Sequence, residues 1–315
     1  MTQLPTQGPT HVTWIVGAGG LLGTAVVRAL RQRGDGLTMT SRIQWDNAAL
    51  AQQQLAEGIE LLVRSADDQN CPWHIAWCAG AGVTGTSAHK LQTELETLHH
   101  FFHHLSRQPA TRDNRVFFAS SAGALYAGSA NPPFTEQHAP APISDYGRAK
   151  FAAEDIVAAY ARTSNTPTVI GRISNLYGPG QNLAKAQGLV SHLCRAHRTG
   201  QPVSIYVSLD TVRDYLYVDD CAAMIRDALT LELPDMGDPA IVKIFAAARG
   251  TTIGALIGEC RRVFKRSPRI VLGTSANARF QIRDLRLRST VWPQIDRRAL
   301  TTLPAGIAMT EATLR

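Results

Sequence analysis

Short apolar runs alternate with amphipathic stretches along most of this chain. HVTWIV near the N-terminus is apolar and rich in β-branched residues, which favours a buried strand, and the helical spacing of LLGTAVVRALRQR ends at Gly34, a typical C-cap residue. Apolar runs predict further strands at 37–40, 74–82 and 115–120. This alternation of strand and helix predicts an α/β fold with a doubly wound parallel sheet.

Two long segments between these strands have helical spacing. The segment from Asn47 to Asp68 is mostly helical in pattern and contains no clear strand. The segment 90–105 predicts an amphipathic helix with four histidines, which form two i,i+4 pairs, His99 with His103 and His100 with His104. No cysteine or carboxylate accompanies these histidines at a suitable offset, so we expect an exposed or packing face and no metal site.

The first strand and the first helix are joined by a glycine turn, GAGG. Gly17 permits a tight turn, and Gly20 lets the backbone approach a pyrophosphate at the helix N-terminus, where the N–H groups around Leu21 and Leu22 favour an anion. Gly23 allows close packing of helix on strand. The spacing is G-x-x-G-x-x-G, and its place between strand and helix predicts a dinucleotide-binding turn.

Tyr146 and Lys150 lie four residues apart in SDYGRAK, which places them on one face of a helix. An unperturbed tyrosine titrates near pH ~10 and is a poor base at neutral pH. An ammonium held close to the phenol stabilises the phenolate, so we expect Lys150 to lower the pKa of Tyr146. The pair then has the chemistry to move a proton on and off an alcohol hydroxyl.

Five motifs follow one another in a characteristic order. The glycine turn precedes SSAGALY at 120–126, YGRAK at 146–150, NLYGPG at 175–180 and RDYLYVDD at 213–220. In this order the chain, from about Thr13 to Ala228, resembles the extended short-chain dehydrogenase/reductases, and within them the NAD-dependent epimerase/dehydratase family, whose members mostly modify nucleotide sugars. The resemblance implies a Rossmann-type sheet with a smaller, interwoven C-terminal substrate lobe.

The expected division of the chain follows from this resemblance. Residues 1–172 form the NAD(P)-binding domain, to which 213–245 return, and residues 173–212 and 246–315 form the substrate-binding lobe. The proline-rich loop 127–144 is expected to run along the substrate crevice.

The same resemblance assigns the catalytic roles. Ser121 is the hydroxyl that orients the substrate, and Ser120 is the alternative because SSAGALY leaves the register open by one residue. Tyr146 takes or returns the hydroxyl proton, and Lys150 holds the cofactor ribose as well as acting on the tyrosine.

The second predicted strand leads into Thr40, Ser41 and Arg42, with no carboxylate before Asp46. A carboxylate at this point would bind the ribose hydroxyls and select NAD. Its absence, and the chance for Arg42 to pair with a 2′-phosphate, favour NADP slightly over NAD. The alternative is that Arg42 stacks on adenine or faces solvent.

Further cofactor contacts are expected after the strand at 74–82. Ala79 and Gly80 are small enough to let the cofactor come close to the backbone. Asp67 or Asp68 is a candidate for the adenine contact that relatives make with an aspartate. Glu94 falls where the family more often has an asparagine.

On the substrate side, Asn175 is expected to hydrogen-bond a diphosphate oxygen, and the fork of Arg213 to grip the diphosphate. Arg172 either holds the substrate loop to the sheet or forms a structural ion pair. Asp219 and Asp220 precede a helical stretch, and N-capping accounts for them.

The residues after Ser121 bear on the reaction. Sugar 4,6-dehydratases resembling this chain carry an Asp-Glu pair there, but this chain has Ala122 and Gly123, which do not titrate. We therefore expect a nucleotide-sugar 4-epimerase, with an NADPH-dependent reductase of a ketosugar or small carbonyl compound as the alternative. A noncatalytic NADP-binding regulator on the same fold is a third interpretation, disfavoured because Tyr146 and Lys150 are both present.

Composition adds few constraints. The 315 residues carry 32 lysines and arginines against 25 acidic residues, a net charge of +7 that suits a small phosphorylated substrate better than nucleic acid, because basic runs interleaved with aromatics are missing. The five cysteines show no metal spacing, and the polar start MTQLPTQGPTH resembles neither a signal peptide nor a membrane span, so we expect a cytoplasmic protein. The resemblance also implies a homodimer formed through the 90–105 helix and the tyrosine helix.

Overall fold

The computed structural model describes residues 8–185, 187–232, 234–275 and 280–314. The strands are β1 Val12–Val16, β2 Leu37–Thr40, β3 Trp73–Trp77, β4 Arg115–Ser121, β5 Thr168–Ile173, β6 Asn175–Tyr177, β7 Val203–Ile205, β8 Val212–Tyr217, β9 Ala240–Phe245, β10 Gly250–Thr252 and β11 Ile270–Leu272. The helices are α1 Leu21–Arg33, α2 Ala48–Gln69, α3 Ala88–Leu105, α4 Ala122–Leu125, α5 Asp145–Ser164, α6 Leu189–Thr199, α7 Val218–Thr230, α8 Ile253–Phe264, α9 Pro293–Asp296 and α10 Leu303–Thr313.

Six parallel strands form the central sheet, in the order β2-β1-β3-β4-β5-β9. Side chains of β1 alternate between its two faces, because successive residues of a strand point in opposite directions. Val12, Trp14 and Val16 pack with α2, α3 and α5, whereas Ile15 packs with α1 and α7. Helices therefore cover both faces, which confirms the predicted α/β class and its doubly wound Rossmann-type sheet.

Helix α2 fills the interval in which the sequence showed no clear strand. It begins at the Asn47 cap, whose side chain accepts from the Leu50 N–H, and it ends just before Asn70, which adopts a left-handed conformation. Asp67 and Asp68 lie at its C-terminal end, near the start of β3 and the amino ends of the strands. The glycine turn lies at the opposite, carboxyl ends of the strands. The adenine contact suggested for Asp67 or Asp68 was therefore wrong.

The remaining strands, with helices α6, α8 and α10, form a smaller lobe. Strands β10, β8 and β6 form one sheet, β11 pairs with β7, and α6, α8 and α10 pack together over a separate apolar core. After β8 the chain returns through α7 to β9 in the main sheet. The predicted domain boundaries at 173, 213 and 246 stay predictions.

The proline-rich loop and the C-terminal segment dock on the main sheet through the half-buried carboxylate of Glu136 and the buried ammonium of Lys243. Glu136 of the loop accepts from the Ile244 N–H at 2.9 Å and from the Ser289 hydroxyl at 2.6 Å. Lys243 on β9 is 0% exposed and donates to the Asp296 carboxylate at 2.9 Å. These contacts tie the end of the chain to its central sheet.

No helix within the described ranges combines the length and the apolarity that crossing a membrane requires.

Candidate active site

The site lies where the direction of strand succession reverses. The chain passes from β1 to β2 on one side of the sheet and then to β3 on the other side, so loops leave the carboxyl ends of β1 and β3 in opposite directions. Ligands of open α/β sheets bind in the crevice at such a point. The glycine turn follows β1, and Ala79 and Gly80 follow β3, so the structure brings these predicted residues together at one edge.

The glycine turn is shaped by close backbone contacts. Gly17 has a φ of +86°, and a Cβ on it would lie 2.6 Å from the Ala79 backbone nitrogen. A Cβ on Gly23 would lie 2.2 Å from the Gly17 carbonyl oxygen. The N-cap of α1 is Gly20, with no side-chain cap and no acidic residue in the first turn, where Leu21 and Leu22 lie. The N–H groups of this first turn are therefore available to an anion.

After β2, Ser41 and Arg42 are both exposed at the same edge of the sheet. The indole nitrogen of buried Trp14 donates to the Ser41 hydroxyl at 2.8 Å, which fixes that side chain from below. Arg42 forms no hydrogen bond or ion pair with the residues that the structure describes. The nearest acidic residue in sequence remains Asp46.

Tyr146 occupies the first turn of α5, which begins at the Ser144 cap because that side chain accepts from the Gly147 N–H at 3.0 Å. The side chain of Ser121, at the end of β4, hydrogen-bonds Tyr146. Ser120 points elsewhere and donates to the buried carboxylate of Glu154. The geometry therefore favours Ser121 over Ser120 as the partner of the tyrosine.

The pKa of Tyr146 departs from the sequence-based expectation. Burial raises it to about 12, the Ser121 hydrogen bond acts to lower it, and the nearby charge of Glu94 raises it further. The pKa of Tyr146 is therefore raised, so the lowering predicted from its spacing to Lys150 was wrong. The physical reason is that burial disfavours the phenolate and that a carboxylate from α3, unseen in the local sequence, lies close by.

Lys150 instead points along the sheet edge. Its ammonium donates to the Ala119 carbonyl at 3.2 Å and lies 5.3 Å from the centre of the Phe118 ring. A Cβ on Gly80 would lie 3.5 Å from the Lys150 Nζ, so the amine borders the loop after β3. Burial lowers the pKa of Lys150, while Glu94 and Glu154 act to raise it.

One turn farther along α5, Glu154 forms a buried ion pair with Arg172. The guanidinium donates to both carboxylate oxygens, with Nη2 to Oε2 at 2.7 Å, and its Nη1 donates to the Tyr126 hydroxyl at 2.8 Å. Both charged side chains are at most 6% exposed. The structure therefore favours the structural ion pair among the two roles considered for Arg172.

The two predicted substrate residues lie on neighbouring strands of the smaller lobe, Asn175 on β6 and Arg213 on β8. Arg213 is 8% exposed and donates to the Ile282 carbonyl at 2.7 Å and to the Gln281 side chain at 3.1 Å. Its described hydrogen-bond acceptors are all neutral, and burial lowers its pKa. A buried guanidinium without a carboxylate partner suits an anionic ligand.

A family model described as "NAD dependent epimerase/dehydratase family" matches residues 13–239. The chain belongs to this family. The match covers the glycine turn, both serines, the Tyr146–Lys150 pair, Asn175 and Arg213, so every predicted site residue lies within the matched residues.

Curated relatives and solved structures agree with this placement. The chain is 32% identical over 118 residues to dTDP-4-dehydro-6-deoxyglucose reductase from Escherichia coli and 32% identical over 124 residues to dTDP-L-rhamnose 4-epimerase from Burkholderia thailandensis, each match covering 38% of this chain. These matches span 37% and 34% of the two relatives' own lengths. The structure of MoeE5 in complex with UDP-glucuronic acid and NAD superposes with a TM-score of 0.78 at 20% identity, over 96% of this chain and 98% of that one. This likeness supports the Rossmann-type fold.

Within this family framework, Asp219 and Asp220 do not cap α7 as expected. The helix begins at Val218 with Tyr217 at the cap position. Asp219 pairs with Arg28 of α1, and Asp220 accepts from the Thr301 N–H at 2.7 Å. They connect α7 to α1 and to the C-terminal segment, while still lying in the first helical turn, where negative charge is favourable.

Sequence reasoning missed two contacts beside the tyrosine. Glu94 of α3 accepts from the Ala81 N–H at 3.0 Å, and Lys185 from the smaller lobe donates to the Ala81 carbonyl at 3.1 Å. Glu94 could have been suspected, because the family resemblance placed an asparagine at its position. The sequence around Lys185 gave no sign of its contact.

The histidines of α3 form no metal centre with the described residues. The rings of His99 and His103 stack at 6.4 Å, and within the described ranges no group of three or more His, Cys, Asp or Glu side chains is arranged to hold a metal ion.

Proposed function

We propose that this protein is an NAD(P)-dependent nucleotide-sugar 4-epimerase. The observation that carries the proposal is the constellation at the sheet edge, where the Tyr146 phenol meets Ser121 and the Lys150 ammonium borders Gly80. A phenol beside a dinucleotide site can transfer the proton of a secondary alcohol while the cofactor exchanges hydride.

The site residues suit the dinucleotide. The open N-terminus of α1 with Gly17, Gly20 and Gly23 accepts the pyrophosphate, and the bare edge at Ala79 and Gly80 leaves room for a close approach. A nicotinamide cofactor held here would supply hydride transfer and, in its oxidised form, a positive charge.

The chain's own residues handle the proton and the substrate. Tyr146 takes the proton from the sugar hydroxyl, Ser121 orients that hydroxyl, and Lys150 holds the cofactor ribose. Because burial raises the pKa of Tyr146 to about 12, the phenol needs added positive charge nearby before it serves as a base at neutral pH. Arg213 and Asn175 hold the diphosphate.

A dehydratase is disfavoured although several curated relatives are named dTDP-glucose 4,6-dehydratase. After Ser121 the chain enters α4 with Ala122, which is fully buried, and Gly123. Neither residue can exchange a proton with the sugar.

A second candidate is an NADPH-dependent ketosugar reductase. Arg42 is exposed beside Ser41 without a partner among the described residues, which suits a 2′-phosphate, and one curated relative is named a reductase. Solved relatives with NAD favour the other cofactor, so the preference for NADP rests on Arg42.

The test is to purify the protein, identify any dinucleotide that copurifies, and incubate the protein with UDP- and dTDP-hexoses. Tyr146→Phe should lose turnover by at least ~100-fold while still binding the dinucleotide. A retained dinucleotide with a 4-epimer product supports the epimerase, whereas consumption of added NADPH supports the reductase. Full turnover in Tyr146→Phe would refute the proton-transfer role of Tyr146 in either enzyme, whereas a wild-type protein that binds the dinucleotide but converts none of these sugars would support the noncatalytic regulator.

We also propose a homodimer formed through α3 and α5 and a cytoplasmic location. Light scattering on the purified protein tests the first, since a monomer at micromolar concentration would contradict it. Imaging of a tagged chain tests the second.

A further inference from the structure

Glu94 lies between the tyrosine and the loop that follows β3. Its Oε1 accepts from the Ala81 N–H, and its Oε2 lies 3.4 Å from the position that a Cβ would take on Gly82. The Cδ2 atom of the Tyr146 ring lies 3.3 Å from that same position. The carboxylate and the tyrosine ring therefore approach the same small residue.

The charge of Glu94 acts on both members of the proton-transferring pair. A carboxylate near the phenol opposes the phenolate, and a carboxylate near the ammonium favours its charged form. In this protein it raises the pKa of Tyr146 and also acts to raise the pKa of Lys150, against the effect of burial. An uncharged amide at this position would exert no such effect.

Three other described side chains approach Tyr146, Lys150 or the segment beside them. Ser121 faces the phenol from β4, Glu154 acts on Lys150 from their own helix, and Lys185 reaches the Ala81 carbonyl from the smaller lobe. Glu94 and Lys185 thus hold the N–H and the carbonyl of one residue, so the segment is fixed from both sides of the crevice.

We propose that Glu94 is a positioning residue that holds the Ala81–Gly82 segment against Tyr146 and sets, through its charge, the pH range in which Tyr146 and Lys150 transfer a proton. The inference rests on the proposed function, because it assigns this pair the proton transfer. It predicts a working range shifted to higher pH than an uncharged residue at this position would give.

The decisive variant is Glu94→Gln, which keeps an oxygen for the Ala81 N–H and removes the charge. Glu96→Gln is the matched control, because Glu96 lies on the exposed face of the same helix and hydrogen-bonds Gln92. The protein is labelled with 3-fluorotyrosine, whose phenol titrates at lower pH, and saturated with NAD. Fluorine NMR then follows the seven tyrosines, with Tyr146 assigned by its loss in Tyr146→Phe.

We expect the titration midpoint of Tyr146 to fall by about one pH unit in Glu94→Gln and to stay unchanged in Glu96→Gln. Any measurable turnover should shift its pH profile in the same direction. Coincident titrations in wild type and Glu94→Gln, or equal shifts in both variants, would overturn the proposal. The fluorine signal needs no turnover, so a failure of the proposed epimerase activity would be seen separately.

A separate measurement tests whether Glu94 holds the Ala81–Gly82 segment. Glu94→Asp keeps the charge but shortens the reach, so we expect faster amide hydrogen exchange at Ala81 with a Tyr146 midpoint close to that of wild type. Unchanged exchange at Ala81 would show that the carboxylate does not hold the segment.

Discussion

Two buried arginines in this protein have opposite surroundings. Arg172 on β5 is 5% exposed and meets the carboxylate of Glu154 through two nitrogens, and these hydrogen bonds raise its pKa although burial acts to lower it. Arg213 on β8 is 8% exposed and donates to neutral oxygens, and burial lowers its pKa.

This difference in partners makes Arg172 a structural charge and makes Arg213 suited to binding an anionic ligand. Desolvating a cation is costly, and a carboxylate in good geometry offsets much of that cost. Arg172 is compensated within the protein, next to Ser120 and Tyr126. Arg213 forms no hydrogen bond or ion pair with a carboxylate among the described residues, although the charge of Asp284 acts to raise its pKa, so a bound diphosphate would supply a direct anionic partner.

The largest expected effect is on the compensated pair. Glu154→Gln should lower the free energy of unfolding by roughly 3–5 kcal/mol, because it leaves the Arg172 charge buried and unpaired. Urea unfolding measures this. The matched control is Asp238→Asn, which breaks an exposed two-nitrogen contact with Arg162 and should cost less than about 1 kcal/mol. Equal losses in the two variants would show that burial does not distinguish these pairs.

Arg213→Met should weaken ligand binding strongly and change stability little, the reverse of what we expect for Glu154→Gln. We expect the binding of UDP, measured by calorimetry, to weaken roughly 10- to 100-fold, because hydrogen bonds to charged groups contribute about 1.5–3 kcal/mol. The free energy of unfolding without ligand should change by less than about 1 kcal/mol, since a buried cation without a hydrogen-bonded carboxylate is replaced by an apolar chain. Arg283→Met, at an exposed arginine of the same lobe paired with Asp210, is the control and should bind UDP normally. A large loss of stability with unchanged binding would make Arg213 structural.

A third buried group stays neutral. His74 is 4% exposed, its ring stacks on His11 at 5.0 Å, and burial lowers its pKa from 6.5 to about 3. The unfolded chain therefore binds this proton more readily, so the stability contribution is complete above pH 6.5 and is lost as the pH falls from 6.5 toward 3.

The loss amounts to at most about 1.4 kcal/mol per pH unit for this one group. It is measured as the slope of unfolding free energy against pH between 6 and 4, with His74→Gln compared to wild type. His74→Gln should flatten the slope, whereas His100→Gln, on the exposed face of α3, should leave it unchanged. Parallel slopes in all three proteins would mean that His74 protonates freely in the folded state.

The sequence predicted those features that depend on local pattern. The glycine turn, the first four strands of the main sheet, the helical segment before Asp68 and the spacing of Tyr146 with Lys150 were legible because periodicity and fixed offsets determine them, whereas β9 was not predicted. The alternation of strand and helix also gave the doubly wound class correctly.

What failed depends on side chains that approach from distant elements. The pKa of Tyr146 reflects burial and Glu94, a residue 52 positions earlier on another helix, and so the local Tyr-Lys spacing gave the wrong direction. The choice between Ser120 and Ser121 required Glu154, and the surroundings of Arg213 required Gln281 and Ile282. Sequence spacing does not encode such three-dimensional neighbours.

The tie between Lys243 and Asp296 has a consequence for how the chain is made. The lysine lies in the last strand of the main sheet, but its carboxylate follows 53 residues later. On the ribosome, that ammonium is synthesised well before its counterion, and burying it without a partner is unfavourable. We therefore expect the central sheet to be completed late, after most of the smaller lobe has been translated, and a nascent chain halted before Asp296 to bind chaperones.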